Sequence, residues 1–193
     1  REALHEIQRV GRFFRQLVDR TLGHAADYVG DRVEGFVGRP RHRLRPPGAI
    51  AEAAFLDTCY RCGNCVGICP ARAIQHIKGE SEELDGTPAI FADHQPCLVC
   101  DGLQCMPACP SGALQITPRE QIAMGLARFD PEPCLRTGGE ACTECVDTCP
   151  EGERALRFND EGVVEVLNGG CIGCGVCQWR CPSQPKAIVV QPR

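Results

Sequence analysis

Four times between residues 59 and 182 the chain gathers four cysteines and then leaves through a proline. The units run Cys59-x2-Cys62-x2-Cys65-x3-Cys69-Pro70, Cys97-x2-Cys100-x4-Cys105-x3-Cys109-Pro110, Cys134-x7-Cys142-x2-Cys145-x3-Cys149-Pro150 and Cys171-x2-Cys174-x2-Cys177-x3-Cys181-Pro182. All sixteen cysteines of the 193-residue chain are used, against ten aromatic residues available for a core. Something besides side-chain packing must order such a chain. Disulfides, structural zinc, iron–sulfur clusters and coincidental buried thiols compete as explanations, and the even count alone does not choose.

Spacing chooses. A C-x2-C pair by itself serves zinc ribbons and redox dithiols equally well. A third cysteine after two more residues, then Cys-Pro three later, is the bacterial ferredoxin run, whose fourth cysteine ligates the other cluster of a pair. Gly63, Gly173 and Gly175 fall between cysteines, where the backbone must turn sharply and its N–H groups can face anionic sulfur. Proline after the last cysteine removes a donor and stiffens the exit. The expectation is four 4Fe-4S clusters held by these sixteen thiolates, with residues 59–193 unfolded or molten without iron. Two pairings use every cysteine: consecutive (first unit with second, third with fourth) and nested (first with fourth, second with third). Spacing alone leaves both open.

Each Cys-Pro is followed by a small and an apolar residue: Ala73-Ile74, Ala113-Leu114, Ala155-Leu156 and Ala187-Ile188. The offset from the last cysteine is four residues in the first two units and six in the last two. Short strands are expected there, in QHI, QIT, LRF and IVV. The predicted fold is α+β, a tandem bacterial-ferredoxin-like polyferredoxin over residues 49–193, built from four loop–short helix–strand units.

Ahead of it, residues 1–37 place Leu4, Ile7, Val10, Phe14, Leu17, Leu22, Ala25, Val29, Val33 and Phe36 at helical spacing. This predicts an amphipathic helical segment, with a joint near Gly23, that docks on a subunit or lies on a membrane surface. Residues 38–48 carry three prolines and four arginines and read as an extended linker or docking strap. The net charge of −4 divides into a basic front, ten Arg against six acids in residues 1–48, and an acidic body. Without interleaved aromatics, those arginines do not suggest a nucleic-acid partner. No stretch reaches the roughly eighteen apolar residues of a membrane span, so membrane contact is expected to be at most peripheral.

No residue pattern points to catalysis. GGCIGCG is spent on the fourth cysteine unit, no dinucleotide loop or C-x-x-C-H haem site is present, and His5, His24, His42, His76 and His94 are scattered. Tyr60 and Trp179 lie inside cysteine loops, where shielding of a cluster from water is their expected role. The chain thus reads as an electron-transfer subunit without chemistry of its own. Assembly factor and cluster-stabilised docking scaffold are the alternatives.

From LRPPGAIAEAAFLDTCYRCGNCVGICP through GTPAI, PCLVCDGLQCMPACPSGAL, MGLARFDPEPCLRTGGEACTECVDTCP and CIGCGVCQWRCPSQPKAIVVQP, residues 44–192 resemble the NapG/MauM ferredoxin-type proteins. The spacing Cys134-x7-Cys142 makes the resemblance more than a generic cluster match. It implies a periplasmic subunit, membrane-associated through its partners and exported by a twin-arginine signal upstream of LRPPGA; the cytoplasmic face of the membrane is the alternative. Its implied partners are a membrane quinol dehydrogenase or multihaem cytochrome and other redox subunits of a respiratory complex. The x2-x4-x3 spacing of the second unit also resembles electron-transfer subunits of molybdopterin oxidoreductases, where nesting is the rule. That resemblance implies Cys59, Cys62 and Cys65 with Cys181; Cys171, Cys174 and Cys177 with Cys69; Cys97, Cys100 and Cys105 with Cys149; and Cys134, Cys142 and Cys145 with Cys109.

Overall fold

The computed structural model describes residues 43–193. The amphipathic segment expected over 1–37 and residues 38–42 of the expected linker lie outside the described residues. Regular elements are short, as expected of a chain that must keep turning around its thiols. Helices α1 (Glu52–Thr58) and α2 (Asn64–Ile68) come first, then strands β1 (Ile74–His76), β2 (Pro88–Ile90) and β3 (Gly125–Phe129). Helix α3 (Glu144–Asp147), strands β4 (Leu156–Phe158) and β5 (Val164–Val166), helix α4 (Val176–Arg180) and strand β6 (Ile188–Pro192) complete the chain. Among the described residues no helix is long and apolar enough to cross a membrane.

The strands pair antiparallel as β1–β2, β3–β6 and β4–β5. In the second half, β3 before the third cysteine unit pairs with β6 after the fourth, Phe129 opposite Ile188, while β4 and β5 form a hairpin between the two units, Leu156 opposite Val166. The first half repeats this plan. Its hairpin β1–β2 sets Ile74 opposite Ile90 between the first and second units, and its outer pair is reduced to a single bridge, Ala49 to Leu114. Each half is therefore a two-unit module closed on itself.

The second cysteine unit departs from the expected loop–helix–strand pattern. It has no helix among its ligands, and QIT is not a strand. The two extra residues between Cys100 and Cys105 are accommodated by left-handed backbone at Val99, Gly102 and Leu103, which breaks the helical turn seen in the first and fourth units. Leu114 and Gln115 then meet Ala49 and Gly48 of a chain that has itself no strand to offer, and the Gln115 N–H donates to the Gly48 carbonyl at 2.7 Å.

A second correction concerns the linker. Leu44, Arg45, Pro46 and Pro47 are buried in the folded body, although they were expected to belong to a Pro/Arg-rich linker. Arg45 explains why an arginine belongs there. Its guanidinium donates to both oxygens of Glu52, to Thr87 Oγ1 at 3.0 Å and to the Pro88 carbonyl at 2.8 Å, and it lies 4.6 Å from the centre of the Phe55 ring. One planar five-donor group thus ties the entry segment, α1 and β2 together. Phe55 beneath it is fully buried, an amount of apolar burial that stabilises by roughly 1.5–3 kcal/mol.

The two modules share a core. Leu44, Phe55, Ile74, Ile90 and Leu114 of the first cluster with Ile172, Cys174 and Val176 of the second, while Ala127, Leu156, Val164, Ala187 and Ile188 form a separate core under the last two units. Gly175 makes the contact possible: at φ +88° it lies so close to Ala92 of the first module that an added Cβ would sit 2.6 Å from the Ala92 Cβ. Gly173, at φ +73°, packs as closely on β3 of its own module, where an added Cβ would sit 2.2 Å from the Gly125 nitrogen.

Candidate cluster sites

Sixteen free thiols fall into four sets. Set I is Cys59, Cys62 and Cys65 with Cys109, which together line a cavity of about 330 Å3, open solvent at its mouth included, closed by Phe55, Ala113 and Leu114. Set IV is Cys171, Cys174 and Cys177 with Cys149, lining one of about 340 Å3 with Ala127, Leu156 and Val190. Set II joins Cys97, Cys100 and Cys105 to Cys69, whose charge raises the pKa of both Cys97 and Cys105. Set III joins Cys134, Cys142 and Cys145 to Cys181 by the same criterion at Cys145.

The sequence-predicted residues thus do come together in fours, but the pairing is consecutive. The nested arrangement implied by the spacing of the second unit is corrected: Cys109 stands with the first unit and Cys149 with the fourth. The physical reason is the closure of each half by its own strands, which returns the second Cys-Pro to the first loop and the fourth Cys-Pro to the third. A signal for this was present in the sequence. The four-residue offset from Cys-Pro to the next apolar pair is shared by units one and two, and the six-residue offset by units three and four.

The local geometry follows from the glycines. Gly63 and Gly175 adopt left-handed conformations (φ +77° and +88°) immediately before α2 and α4, so that each loop reverses between its second and third cysteines. The cysteine before each proline is wrapped by the turn that follows. Ala73 N–H donates to Cys69 Sγ and Leu114 N–H to Cys109 Sγ, both at 3.4 Å. Such donors favour the thiolate, the form that binds iron.

Burial opposes it. Desolvation, with the neighbouring thiols adding to it, pushes Cys65 and Cys145 up to about 11 and Cys105 and Cys174 up to about 12, and it pushes Cys177 up further. Burial pushes Cys109 and Cys181 up as well. There the hydroxyls of Ser111 and Ser183 and several backbone N–H groups outweigh it, and both pKa values lie below the ordinary thiol range. At neutral pH the buried thiols Cys65, Cys105, Cys145, Cys174 and Cys177 are therefore protonated when metal-free, and loading must release their protons.

These sets fit 4Fe-4S clusters. Among the described residues no three His, Cys, Asp or Glu side chains converge as a single metal ion requires, whereas zinc would draw four sulfurs to about 2.3 Å from one centre. Three thiols from a tight loop and one from a partner loop, around an apolar cavity with N–H groups aimed at sulfur, suit a larger anionic core.

Tyr60 lines the set I cavity and is itself 72% exposed, and Trp179 is 40% exposed. His76 is not a ligand; its Nδ1 donates to the Gly86 carbonyl at 2.7 Å, and His94 is exposed near Phe91. Two residues that sequence reading overlooked are Glu151, buried and paired with Arg119 and Arg154, and Arg119 itself. Arg119 follows the second cysteine unit and donates to the Glu151 carboxylate and the Pro150 carbonyl, joining the two modules beside Cys149.

The fold and the thiol sets define a ferredoxin-type 4Fe-4S electron-transfer protein. The 4Fe-4S dicluster domain family matches residues 58–113, the first two units whose fourth cysteines are exchanged. The ferredoxin-type protein NapG of Escherichia coli (strain K12) is 36% identical over 195 residues, covering 94% of this chain and 84% of that protein. The methylamine utilization ferredoxin-type protein MauM of Methylobacillus flagellatus is 37% identical over 160 residues, covering 78% of this chain and 68% of its own. NapG of Haemophilus influenzae is 35% identical over 163 residues, 77% of this chain and 58% of that protein. The chain belongs to the NapG/MauM ferredoxin-type family.

Proposed function

We propose that this chain is a four-cluster electron relay, the iron–sulfur subunit that connects a membrane quinol-oxidising partner, a quinol dehydrogenase or multihaem cytochrome, to a second redox protein in the periplasm. Each 4Fe-4S cluster supplies one-electron chemistry when bound. The residues of the chain hold the clusters, order them and exclude water between them.

The observation that carries the reading is the order of the thiol sets. Cys65 and Cys69, one helical turn apart, belong to sets I and II. The Cys97 N–H of set II donates to the Cys174 carbonyl of set IV at 3.0 Å, and the charge of Cys145 in set III reaches Cys177 in set IV. In space the sets therefore run I, II, IV, III, a continuous line that differs from their order in the chain. Each end set has one buried thiol, Cys65 or Cys181, with Cys62 exposed at one end and Cys134, Cys142 and Cys145 half-buried at the other, whereas each inner set has two, Cys97 and Cys105 or Cys174 and Cys177. A line of sites buried in the middle and accessible at both ends suits transfer between two partners. The periplasmic setting and the quinol-linked partner belong to the proposal, as the resemblance of residues 44–192 to the NapG/MauM ferredoxin-type proteins implies them.

The test is anaerobic purification in mild detergent, with iron and sulfide counted and reduction by a quinol followed in the same sample. Four clusters reduced by quinol in the presence of a co-purifying membrane partner are expected. Full cluster content with no partner and no response to quinol would overturn the reading. In Cys62→Ser, one cluster should be lost or converted while the others persist.

A further inference from the structure

The four Cys-Pro turns are not alike. After Cys109-Pro110 and Cys181-Pro182 stands a serine, Ser111 and Ser183, whereas Cys69-Pro70 is followed by Ala71 and Cys149-Pro150 by Glu151. Ser111 Oγ lies 3.5 Å from Cys109 Sγ, and Ser183 Oγ 3.0 Å from Cys181 Sγ. Either hydroxyl oxygen already accepts a backbone hydrogen bond, from Ala113 N–H at 3.3 Å and Ala187 N–H at 3.1 Å. With that lone pair engaged, the hydroxyl proton is free to point at sulfur, and a thiolate ligand can only accept it. At Cys69 the equivalent N–H, that of Ala73, reaches the sulfur directly and no side chain intervenes. Glu151 is an acceptor, and its carboxylate is engaged by Arg119 and Arg154.

Cys109 belongs to set I and Cys181 to set III, the two ends of the line; Cys69 and Cys149 belong to the inner sets II and IV. We propose that Ser111 and Ser183 are tuning residues that hold the two terminal clusters at higher reduction potential than the two inner ones. The inference rests on the four-cluster reading above and adds an energy profile to it. Reduction of a cluster takes one electron from an external donor and adds one negative charge, spread over its sulfurs. A hydroxyl donating to a sulfur ligand stabilises that added charge more than the oxidised state, which raises the potential. Burial acts in the same sense, since each inner set holds two thiols removed from the water that would stabilise the added charge, Cys97 and Cys105 or Cys174 and Cys177, and each terminal set only one, Cys65 or Cys181. An electron delivered to either end rests there, and the inner pair is an uphill bridge between two stable seats.

The experiment is a mediated dithionite titration of the full, anaerobically loaded chain, read by EPR, with iron counted in every sample. Two of the wild-type clusters should titrate above the other two. Ser111→Ala should lower one of the upper pair and Ser183→Ala the other, each by about tenfold in the reduced-to-oxidised ratio at fixed potential, which is about 59 mV for a one-electron couple. Ser111→Thr and Ser183→Thr, which keep the hydroxyl, should stay near the wild type. Ala71→Ser, which adds a hydroxyl to set II and removes nothing, should raise one of the lower pair. Unmoved potentials in Ser→Ala variants of full iron content, or in Ala71→Ser, would overturn the proposal. A wild-type chain that loads fewer than four clusters would instead overturn the four-cluster reading and the tuning scheme that rests on it.

Discussion

The first and fourth cysteine units have the same spacing and the same local conformation, and they end in opposite environments. Residues 59–70 and 171–182 both read C-x2-C-x2-C-x3-C-P, and both place a left-handed glycine before a five-residue helix, α2 and α4. Yet in the first unit Cys62 is exposed and Tyr60 and Ile68 face solvent, whereas in the fourth Ile172, Cys174, Val176, Cys177 and Gln178 are all buried. The loop conformation is local, set by glycine, proline and thiol spacing. Burial is set by what the loop meets: the fourth loop is inserted between the modules, against Gly125 and Ala92, and the first is left at the surface.

The largest break in this comparison is expected from Gly173→Ala. The new methyl meets the Gly125 backbone, which cannot swing aside as a side-chain tip could, and the residue must hold φ +73°. A loss of about 4 kcal/mol or more is expected, seen as failure to retain the clusters of sets II and IV in the iron count and as a collapsed denaturant midpoint of cluster loss. A wild-type midpoint in that variant would show that the fourth loop is not seated against β3 as described.

A smaller effect sharpens the comparison without mutation. Exposure of Cys62 predicts that ferricyanide with a chelator strips the cluster of set I first and that of set IV well after it, a difference of tenfold or more in rate, followed by EPR and by alkylation of the released thiols with mass-spectrometric mapping. Simultaneous release of both would mean that the buried loop opens as readily as the exposed one. Complete stripping should then melt residues 43–193, read as loss of near-ultraviolet circular dichroism, because too little aromatic surface is buried to replace sixteen anchored thiols.

The smallest effect is expected from Gly63→Ala. Its Cβ would meet only the His76 ring, at 3.1 Å from Nε2, so the cost is mainly the left-handed backbone, about 1–2 kcal/mol. Retained iron and a modest fall in the midpoint should result. A loss as large as that of Gly173→Ala would refute the view that the two glycines differ through their surroundings.

Much of the site was legible before any coordinates. The sixteen thiols, the turning glycines and the exit prolines are local features, and local features survive in a sequence read four residues at a time. The second unit was harder. Its x4 spacing reads equally well as a nested partner, and the absence of a helix there depends on left-handed backbone at Val99 and Leu103, residues whose types do not announce it. Arg45 was read as part of a solvated strap because its neighbours are prolines and arginines; only the meeting of Glu52, Thr87, Pro88 and Phe55 around it makes an arginine the buried residue of choice.

By itself, then, the sequence determined the chemistry on offer: sixteen thiols in four local loops spaced for 4Fe-4S ligation, in a chain poor in aromatic side chains, since thiol spacing and composition are properties of the chain alone. The tertiary structure decided which thiols share a site and in what order the sites stand. Those depend on strands that pair across many residues, β3 with β6 and Ala49 with Leu114, and on a glycine contact between modules that no local pattern records. Pairing is a long-range contest between alternatives of equal local quality, and only the closed backbone settles it.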